Sequence, residues 1–335
     1  MEHLIFSLNA TIPIFLTMIF GMIFKKAGIF NEKFVSAANK FVFQAALPVL
    51  LFQDISGADF YEVWDTGFVL FCFCVTLISI LAVTALSFLW KDKSIQGEFV
   101  QASYRSSAAI LGIAFIQNIY GDAGMAPLMI IATVPLYNVM AVVVLSFLKP
   151  DREKFDRALI LCTLKGIVTN PIILGIAAGV IWSALQIPKP EVLDKTLHNL
   201  SVLATPLGLM AMGASFRVSQ ARSQMKPAVV SSILKLVVFC AAFLPLAVGL
   251  GFRNDKLVAI LVMLGSATTV SSYVMARNMG HEGSLTSNTV MLTTLCSAFT
   301  LTGWLYLLKS LALLSAHDGI YLMSLFITNL EYFER

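Results

Sequence analysis

The sequence predicts an all-α integral membrane protein of about ten transmembrane helices, arranged as two inverted five-helix repeats. Of its 335 residues 58% are hydrophobic and only 13% are charged, and the mean hydropathy is +0.83. Soluble domains carry about 25% charged residues, so the apolar excess must face lipid. Windows of about 20 apolar residues, each long enough to cross about 30 Å of hydrocarbon, recur along nearly the whole chain. Two pairs of equally spaced prolines indicate the repeat.

The apolar windows predict ten helices that are separated by short loops. Their approximate bounds are 4–24, 33–53, 67–90, 98–119, 126–148, 157–183, 198–216, 227–251, 256–278 and 286–309. The first window has no basic leader, so we expect it to be retained and not cleaved as a signal peptide. The apolar stretch 319–330 is too short to span and is predicted to be an interfacial helix. The chain therefore divides into a first repeat at 1–150, a second at 151–310 and a C-terminal tail at 311–335.

The basic residues of the loops predict the orientation. The loops after predicted helices 1, 3, 5, 7 and 9 hold thirteen Lys and Arg residues, whereas the opposite side, tails included, holds six. Because cytoplasmic loops carry the excess of Lys and Arg, both termini are predicted outside the cytoplasm. The loop after helix 2 agrees, since it holds Asp54, Asp59, Glu62 and Asp65 and no basic residue. The expected location is the plasma membrane, which is the inner membrane in a bacterium.

The proline pairs support the division into two halves. Pro13 and Pro48 are 35 residues apart, as are Pro171 and Pro206, and in each pair a glycine follows the first proline after eight residues. A repeat of five helices must be inverted, because an odd number of crossings reverses the side on which the second copy begins. Inverted repeats with a site at the bilayer midplane are typical of secondary transporters. The alternative is chance spacing among the eleven prolines of the chain.

Arg105 is the most informative polar residue. It lies in the run QASYRSSAAILG of helix 4, where serines and alanines replace the large residues of a lipid-facing helix. An Arg near the bilayer centre costs at least about 2.5–3.5 kcal/mol unless it faces a polar cavity or a partner. One interpretation is anion binding together with Ser106, Ser107 and Gly112, because the guanidinium fork matches a carboxylate. The alternatives are an Arg that reaches the headgroups or pairs with an acid, although no acid is evident nearby in the predicted helices.

Helix 9 carries a matching run that is rich in hydroxyl groups. Its candidate site residues are Gly265, Thr268, Thr269, Ser271 and Ser272. Two glycine-interrupted helices in equivalent positions of two repeats indicate a midplane site. The N–H groups at a broken helix end attract anions. The alternative is that the small residues serve only close helix packing.

Two further helices each carry a polar residue within their apolar window. Asn138 in helix 5, close to Pro135, is a third candidate because an amide can line a cavity; the alternative is a structural role. Lys235 lies some nine residues inside helix 8. Snorkelling of its ammonium to the headgroups accounts for it.

Signals for enzymes, cofactors and metals are poor. The sequence has no HExxH, GxSxG, P-loop or CxxC motif, so no enzyme activity, cofactor or metal is predicted. Its five cysteines lie in apolar windows, which is typical of core or lipid-facing residues. The net charge of +4 is explained by loop orientation, and no nucleic-acid partner is expected.

Several short motifs occur in a specific order along the chain. They are Pro13 with Gly21, Leu47-Pro48, Tyr104-Arg105-Ser106, Thr169-Asn170-Pro171, Thr205-Pro206 with Gly213-Ala214-Ser215, and Lys235. Through them the chain resembles the auxin efflux carrier family, whose bacterial members are often called malate or malonate permeases. The resemblance implies a scaffold of helices 1, 2, 6 and 7, a moving transport domain, and a homodimer. It also implies that helices 4 and 9 are broken where they cross at the substrate site.

The chain departs from the family pattern at this crossing. Relatives usually carry Asn and then a proline in helix 4 and a proline in helix 9, where this chain has Ser107, Ala114 and Ala267. The breaks must then be made by Gly112 and Gly265. Glycine weakens a helix by only about 1 kcal/mol, against about 3 kcal/mol for proline.

Together these features predict a secondary active transporter of small organic anions, carboxylates in particular, that works by alternating access as a symporter. A proton or a sodium ion is the candidate coupling ion, and membrane lipid surrounds the protein. The alternative is an anion channel or a membrane receptor of the same fold. A channel needs a continuous polar stripe on several helices, whereas here the polarity is concentrated in two segments.

Overall fold

A computed structural model gives the fold. It describes residues 13, 16–57, 64–108, 116, 119–120, 124–149, 157–216 and 222–314. These residues form helices and connecting turns, and no strand occurs among them. Six helical segments within this described part are long and apolar enough to cross a membrane, and a bent pair of helices can supply a seventh crossing. The chain is therefore a multi-pass membrane protein.

The first half begins with helix α1, residues 16–26. Its other helices are α2 (Glu32–Phe41), α3 (Leu47–Ser56), α4 (Thr66–Ser87), α5 (Gln96–Tyr104) and α6 (Ala126–Phe147). A π-helical turn, Val42–Ala46, joins α2 to α3, so the two form one span of 25 residues.

The described residues from 157 onward also form both long and interrupted helices. Its helices are α7 (Arg157–Val168), α8 (Pro171–Ala184), α9 (Glu191–Ser201), α10 (Ala204–Ser215), α11 (Met225–Ile233), α12 (Phe239–Gly249), α13 (Asn254–Gly265), α14 (Val270–Asn278) and α15 (Ser284–Ser310). A second π-helical turn, Leu234–Val238, joins α11 to α12.

The structure corrects the predicted helix at 157–183, which is not continuous. It is divided into α7 and α8 because Pro171 occupies the first turn of α8 and cannot continue the hydrogen bonding of α7. The Asn170 side chain then caps α8 by accepting a hydrogen bond from the Ile172 N–H, at 2.9 Å. The predicted interfacial helix at 319–330 lies outside the described residues.

The closest helix packing joins α1 to α10. Gly213 of α10 lies against the backbone carbonyl of Met18, and Gly21 of α1 lies against that of Met210. A methyl group added at either glycine would overlap the facing carbonyl oxygen. The two backbones approach each other closely only because both positions lack a Cβ.

We expect Gly213→Ala to destabilise the protein, because the overlap with the Met18 carbonyl can be relieved only by separating α1 from α10. Overpacking of this kind typically costs about 1–3 kcal/mol. Thermal unfolding in detergent measures the effect, and the matched control is Gly303→Ala, since Gly303 of α15 has open space around it. Equal melting temperatures for the two variants would contradict the packing described.

Candidate functional site

Two interrupted helices meet inside the protein. Helix α5 ends at Tyr104, and the backbone at Arg105 is extended. Helix α13 ends at Gly265, and α14 begins at Val270 after a bend of 40°. The Ser107 N–H donates to the Ala267 carbonyl at 2.9 Å, which holds the two extended segments side by side.

The positions of these interruptions differ from the predicted ones in one case. The end of α13 at Gly265 agrees with the glycine proposed from the sequence. Helix α5 ends at Tyr104, three residues before Ser107, where the predicted interruption begins. Gly112 lies outside the described residues.

Each interrupted helix is capped by side chains of the other segment. The last carbonyl groups of a helix have no partner within it. At the end of α5, the Ala102 carbonyl accepts a hydrogen bond from Thr268 Oγ1, at 2.8 Å. At the end of α13, the Met263 carbonyl accepts one from Ser106 Oγ. The crossing is thus held by reciprocal hydrogen bonds between segments far apart in sequence.

Lys235 lies at the centre of this crossing. Its side chain is 0% exposed and comes from the π-helical turn Leu234–Val238. Nζ donates to the Leu264 carbonyl at 3.0 Å, to the Tyr104 carbonyl at 3.3 Å and to Ser106 Oγ. The ammonium therefore faces the C-terminal ends of both interrupted helices, which carry partial negative charge. The prediction that Lys235 snorkels to the headgroups was wrong.

A small cavity of about 90 Å³ lies beside the crossing. Sites for drug-sized ligands measure about 300–1,000 Å³, so this cavity suits a molecule of only a few heavy atoms. Its wall is mostly apolar. The polar side chains that line it are Asp54, Arg105, Ser106, Ser107, Tyr137, Asn138, Thr205, Thr268, Thr269, Ser271 and Thr294.

Seven of the ten predicted site residues line this cavity: Arg105, Ser106, Ser107, Asn138, Thr268, Thr269 and Ser271. Gly265 is not among the lining residues, since it packs against Cys240. Ser272 is fully buried away from the cavity, and its hydroxyl has no hydrogen-bond partner within the described part of the chain. Gly112, the tenth, is undescribed.

Arg105 is held in place by neutral groups. Its side chain is 2% exposed, and its guanidinium donates to Met275 Sδ at 2.7 Å and to Asn138 Oδ1. The Asn138 amide is fixed in turn, because its Nδ2 donates to the Val134 carbonyl at 2.8 Å. The ion pairs found among the described residues all involve other side chains. Arg105 therefore neither reaches the headgroups nor forms an ion pair with an acid of the described chain.

The start of α14 adds a second source of positive potential. Thr269, Val270 and Ser271 line the cavity at the N-terminal end of this helix. Backbone N–H groups in the first turn of a helix have no partner within it, and the helix dipole is positive there. The arrangement of Arg105 and this helix end favours a small anion.

Asp54 was missed by the sequence analysis, which placed it in the loop after the second predicted helix. Helix α3 continues to Ser56, so Asp54 lies within it. It shares the cavity-facing side of α3 with Leu47, Leu50 and Leu51, at the spacing of one helical face. Asp54 therefore lines the same cavity as Arg105 although it is remote from Arg105 in sequence, and the two side chains do not form an ion pair. Thr205 and Thr294 were also missed.

Comparison with known proteins gives the family of the chain. Residues 6–305 match the family described as Membrane transport protein. The chain belongs to the auxin efflux carrier family. A relative from Rhizobium meliloti (strain 1021), named "Putative malonate transporter", is 25% identical over 283 residues, which are 82% of this chain and 87% of the relative. This confirms the family expected from the motifs, and the description of that family indicates a membrane transport protein.

Proposed function

We propose that this chain is a secondary active transporter of small organic anions, with carboxylates as the substrate class. The observation that carries the proposal is Arg105, a buried guanidinium with neutral partners at the wall of a small cavity. Arg105 forms no ion pair with an acid of the described residues, and a buried cation without such a partner is costly, so an anion is the natural occupant. The name of the Rhizobium meliloti relative adds support for a carboxylate.

The proposed architecture has two inverted five-helix halves, 1–150 and 151–310, with the tail 311–335. Its support is a second close helix contact, in which Gly175 of α8 lies against the Pro48 carbonyl of α3. Pro13, the first proline of one pair, precedes α1 by three residues, and Pro171, the first of the other pair, begins α8. The second prolines, Pro48 and Pro206, lie in α3 and α10. The proposed repeat therefore relates the α3–α8 contact to the α1–α10 contact. These four helices form the proposed scaffold, against which the other helices alternate access; a homodimer is proposed by resemblance.

Transport into liposomes tests the function. Purified protein is reconstituted, and uptake of radiolabelled malonate is measured with and without unlabelled malonate inside. A carrier exchanges substrate across the membrane, so internal malonate should accelerate uptake of the label. Uptake without acceleration would favour a channel, and binding without uptake would favour a receptor. If the protein neither binds nor takes up malonate or other small carboxylates, the proposal is contradicted.

We also expect both termini outside the cytoplasm and the loop 149–157 inside, as the excess of basic residues in alternate loops predicts. Single cysteines at Ser315 and at Asp151 are introduced into a variant that lacks the five native cysteines. An impermeant thiol reagent should label them from opposite faces of the membrane. Labelling from the same face would refute the inverted repeat.

A further inference from the structure

The cavity holds a carboxylate that the proposed function leaves without a role. Asp54 lines the same cavity as Arg105, and its Oδ2 is buried without a hydrogen-bond partner among the described residues. No described Lys or Arg lies within ion-pair distance of it. Asp54 as a whole is half-buried, and an ionised carboxylate with one oxygen buried and unpartnered is costly, so a cation or a proton would stabilise it.

None of the described groups around Asp54 forms an ion pair with it. In the cavity the other ionisable side chains are Arg105 and Tyr137. Helices α8 and α10, which pack around α3 and its π-helical turn, bring no titratable side chain in their described parts. Helix α9 and the turn before it bring Lys189, Glu191, Asp194, Lys195 and His198. These pair with one another, as Lys189 does with Asp194 and Lys195 with Glu191, or face the exposed surface, as His198 does.

We propose that Asp54 binds the proton that this transporter carries together with its organic anion. The inference rests on the proposed function, because it assigns the coupling ion of that same site. A proton needs only the Asp54 carboxylate, whereas a metal cation takes several oxygen ligands, and the residues that share the cavity face of α3 with Asp54 are leucines. The hydroxyl groups of the cavity come from other helices, and a sodium gradient in the test below measures whether they complete a sodium site.

The coupling follows from charge. An anion that enters a cavity of about 90 Å³ comes close to both Arg105 and Asp54. Two carboxylates that share so small a site repel each other strongly if both are ionised. Binding of one proton to the Asp54 carboxylate, which becomes a neutral carboxylic acid, removes this repulsion. Anion and proton then bind together and leave together, and Asp54 returns to its starting state.

The test uses the full-length protein in liposomes with radiolabelled malonate, the membrane potential being clamped. Two readouts are compared: exchange against internal malonate, and net accumulation driven by an imposed pH gradient. One pH unit per cotransported proton sustains about tenfold accumulation. The wild type should accumulate malonate with the pH gradient and not with a sodium gradient.

Asp54→Asn mimics the protonated carboxyl and cannot release a proton. We expect it to exchange malonate at a rate that does not depend on pH, and to lose accumulation driven by the pH gradient. The matched control is Asp65→Asn. Asp65 lies outside the membrane spans, and its ion pair with Lys256, at 2.6 Å, holds the pKa of that carboxyl below its ordinary value. The Asp65→Asn variant should leave both malonate exchange and accumulation driven by the pH gradient unchanged.

The outcomes separate the two proposals. If the wild type neither binds nor exchanges small carboxylates, the proposed function fails. If it exchanges them but Asp54→Asn still accumulates malonate with the pH gradient, only the role of Asp54 is overturned. Accumulation driven by sodium in the wild type overturns it as well. So does loss of exchange in an Asp54→Asn protein that elutes and melts like the wild type, since Asp54 would then be a ligand of the substrate or a structural residue.

Discussion

Arg105→Ala should weaken binding of a small dicarboxylate by tens to thousands of fold while leaving the protein folded. A desolvated contact between Arg and a carboxylate typically costs about 2–5 kcal/mol when it is truncated, and each 1.4 kcal/mol is about tenfold in affinity. Arg105→Lys should recover only part of the loss, because Lys restores the charge but not the two-pronged geometry. Isothermal titration of the purified protein with malonate measures both effects.

The matched control for this experiment is Arg253→Ala. Arg253 is exposed, and within the described part of the chain it donates to the Val248 and Phe252 carbonyls near its own position, so its removal should not change affinity. If Arg105→Ala folds and binds malonate with unchanged affinity, Arg105 serves only to hold Met275 and Asn138. The anion site would then have to be sought among the hydroxyl groups of Thr269 and Ser271.

Lys235→Met should abolish transport and lower the melting temperature by several degrees. Methionine fills a similar volume but donates no hydrogen bond, so the Tyr104 and Leu264 carbonyls lose the partner they have in the wild type. A buried polar group left unsatisfied costs about 1–3 kcal/mol. The melting temperature in detergent and malonate exchange in liposomes give the two readouts.

Lys309→Met is the control for Lys235→Met. Lys309 lies at the exposed C-terminal end of α15, so its replacement should affect neither readout. A Lys235→Met protein that melts and exchanges malonate like the wild type would show that the crossing does not depend on this ammonium. Its three contacts would then be incidental to the packing.

Most helices could be predicted from the sequence, because a span is defined locally by its apolar length. The ends of the interrupted helices were harder to predict. No proline or glycine marks the end of α5 at Tyr104. The chain leaves the helix there because Lys235 and Thr268, both more than a hundred residues away, satisfy the carbonyls that the next helical turn would otherwise use.

The candidate site was largely predictable for a related reason. Hydroxyl groups and an Arg are expensive in a membrane helix, so their clustering around residues 105–107 and 268–271 indicates a cavity without any knowledge of the packing. Asp54 was not predicted as a site residue because it lies within three residues of the end of α3. A small error in the predicted end of that helix places it in a loop and not in the membrane. The position of Lys235 at the crossing could not be predicted because two of its partners are backbone carbonyls, which every residue has and no sequence pattern marks.

The reciprocal capping at the crossing also constrains biosynthesis. The Ala102 carbonyl depends on Thr268, which is translated 166 residues later. Until that segment arrives, the end of α5 cannot rest in hydrocarbon, since lipid offers no hydrogen bond to a free carbonyl. Residues 1–150 expressed alone should therefore remain incompletely inserted and be degraded. Co-expression with residues 151–335 as a separate polypeptide should rescue them. That second polypeptide carries Thr268, whose hydroxyl donates the hydrogen bond that the Ala102 carbonyl needs.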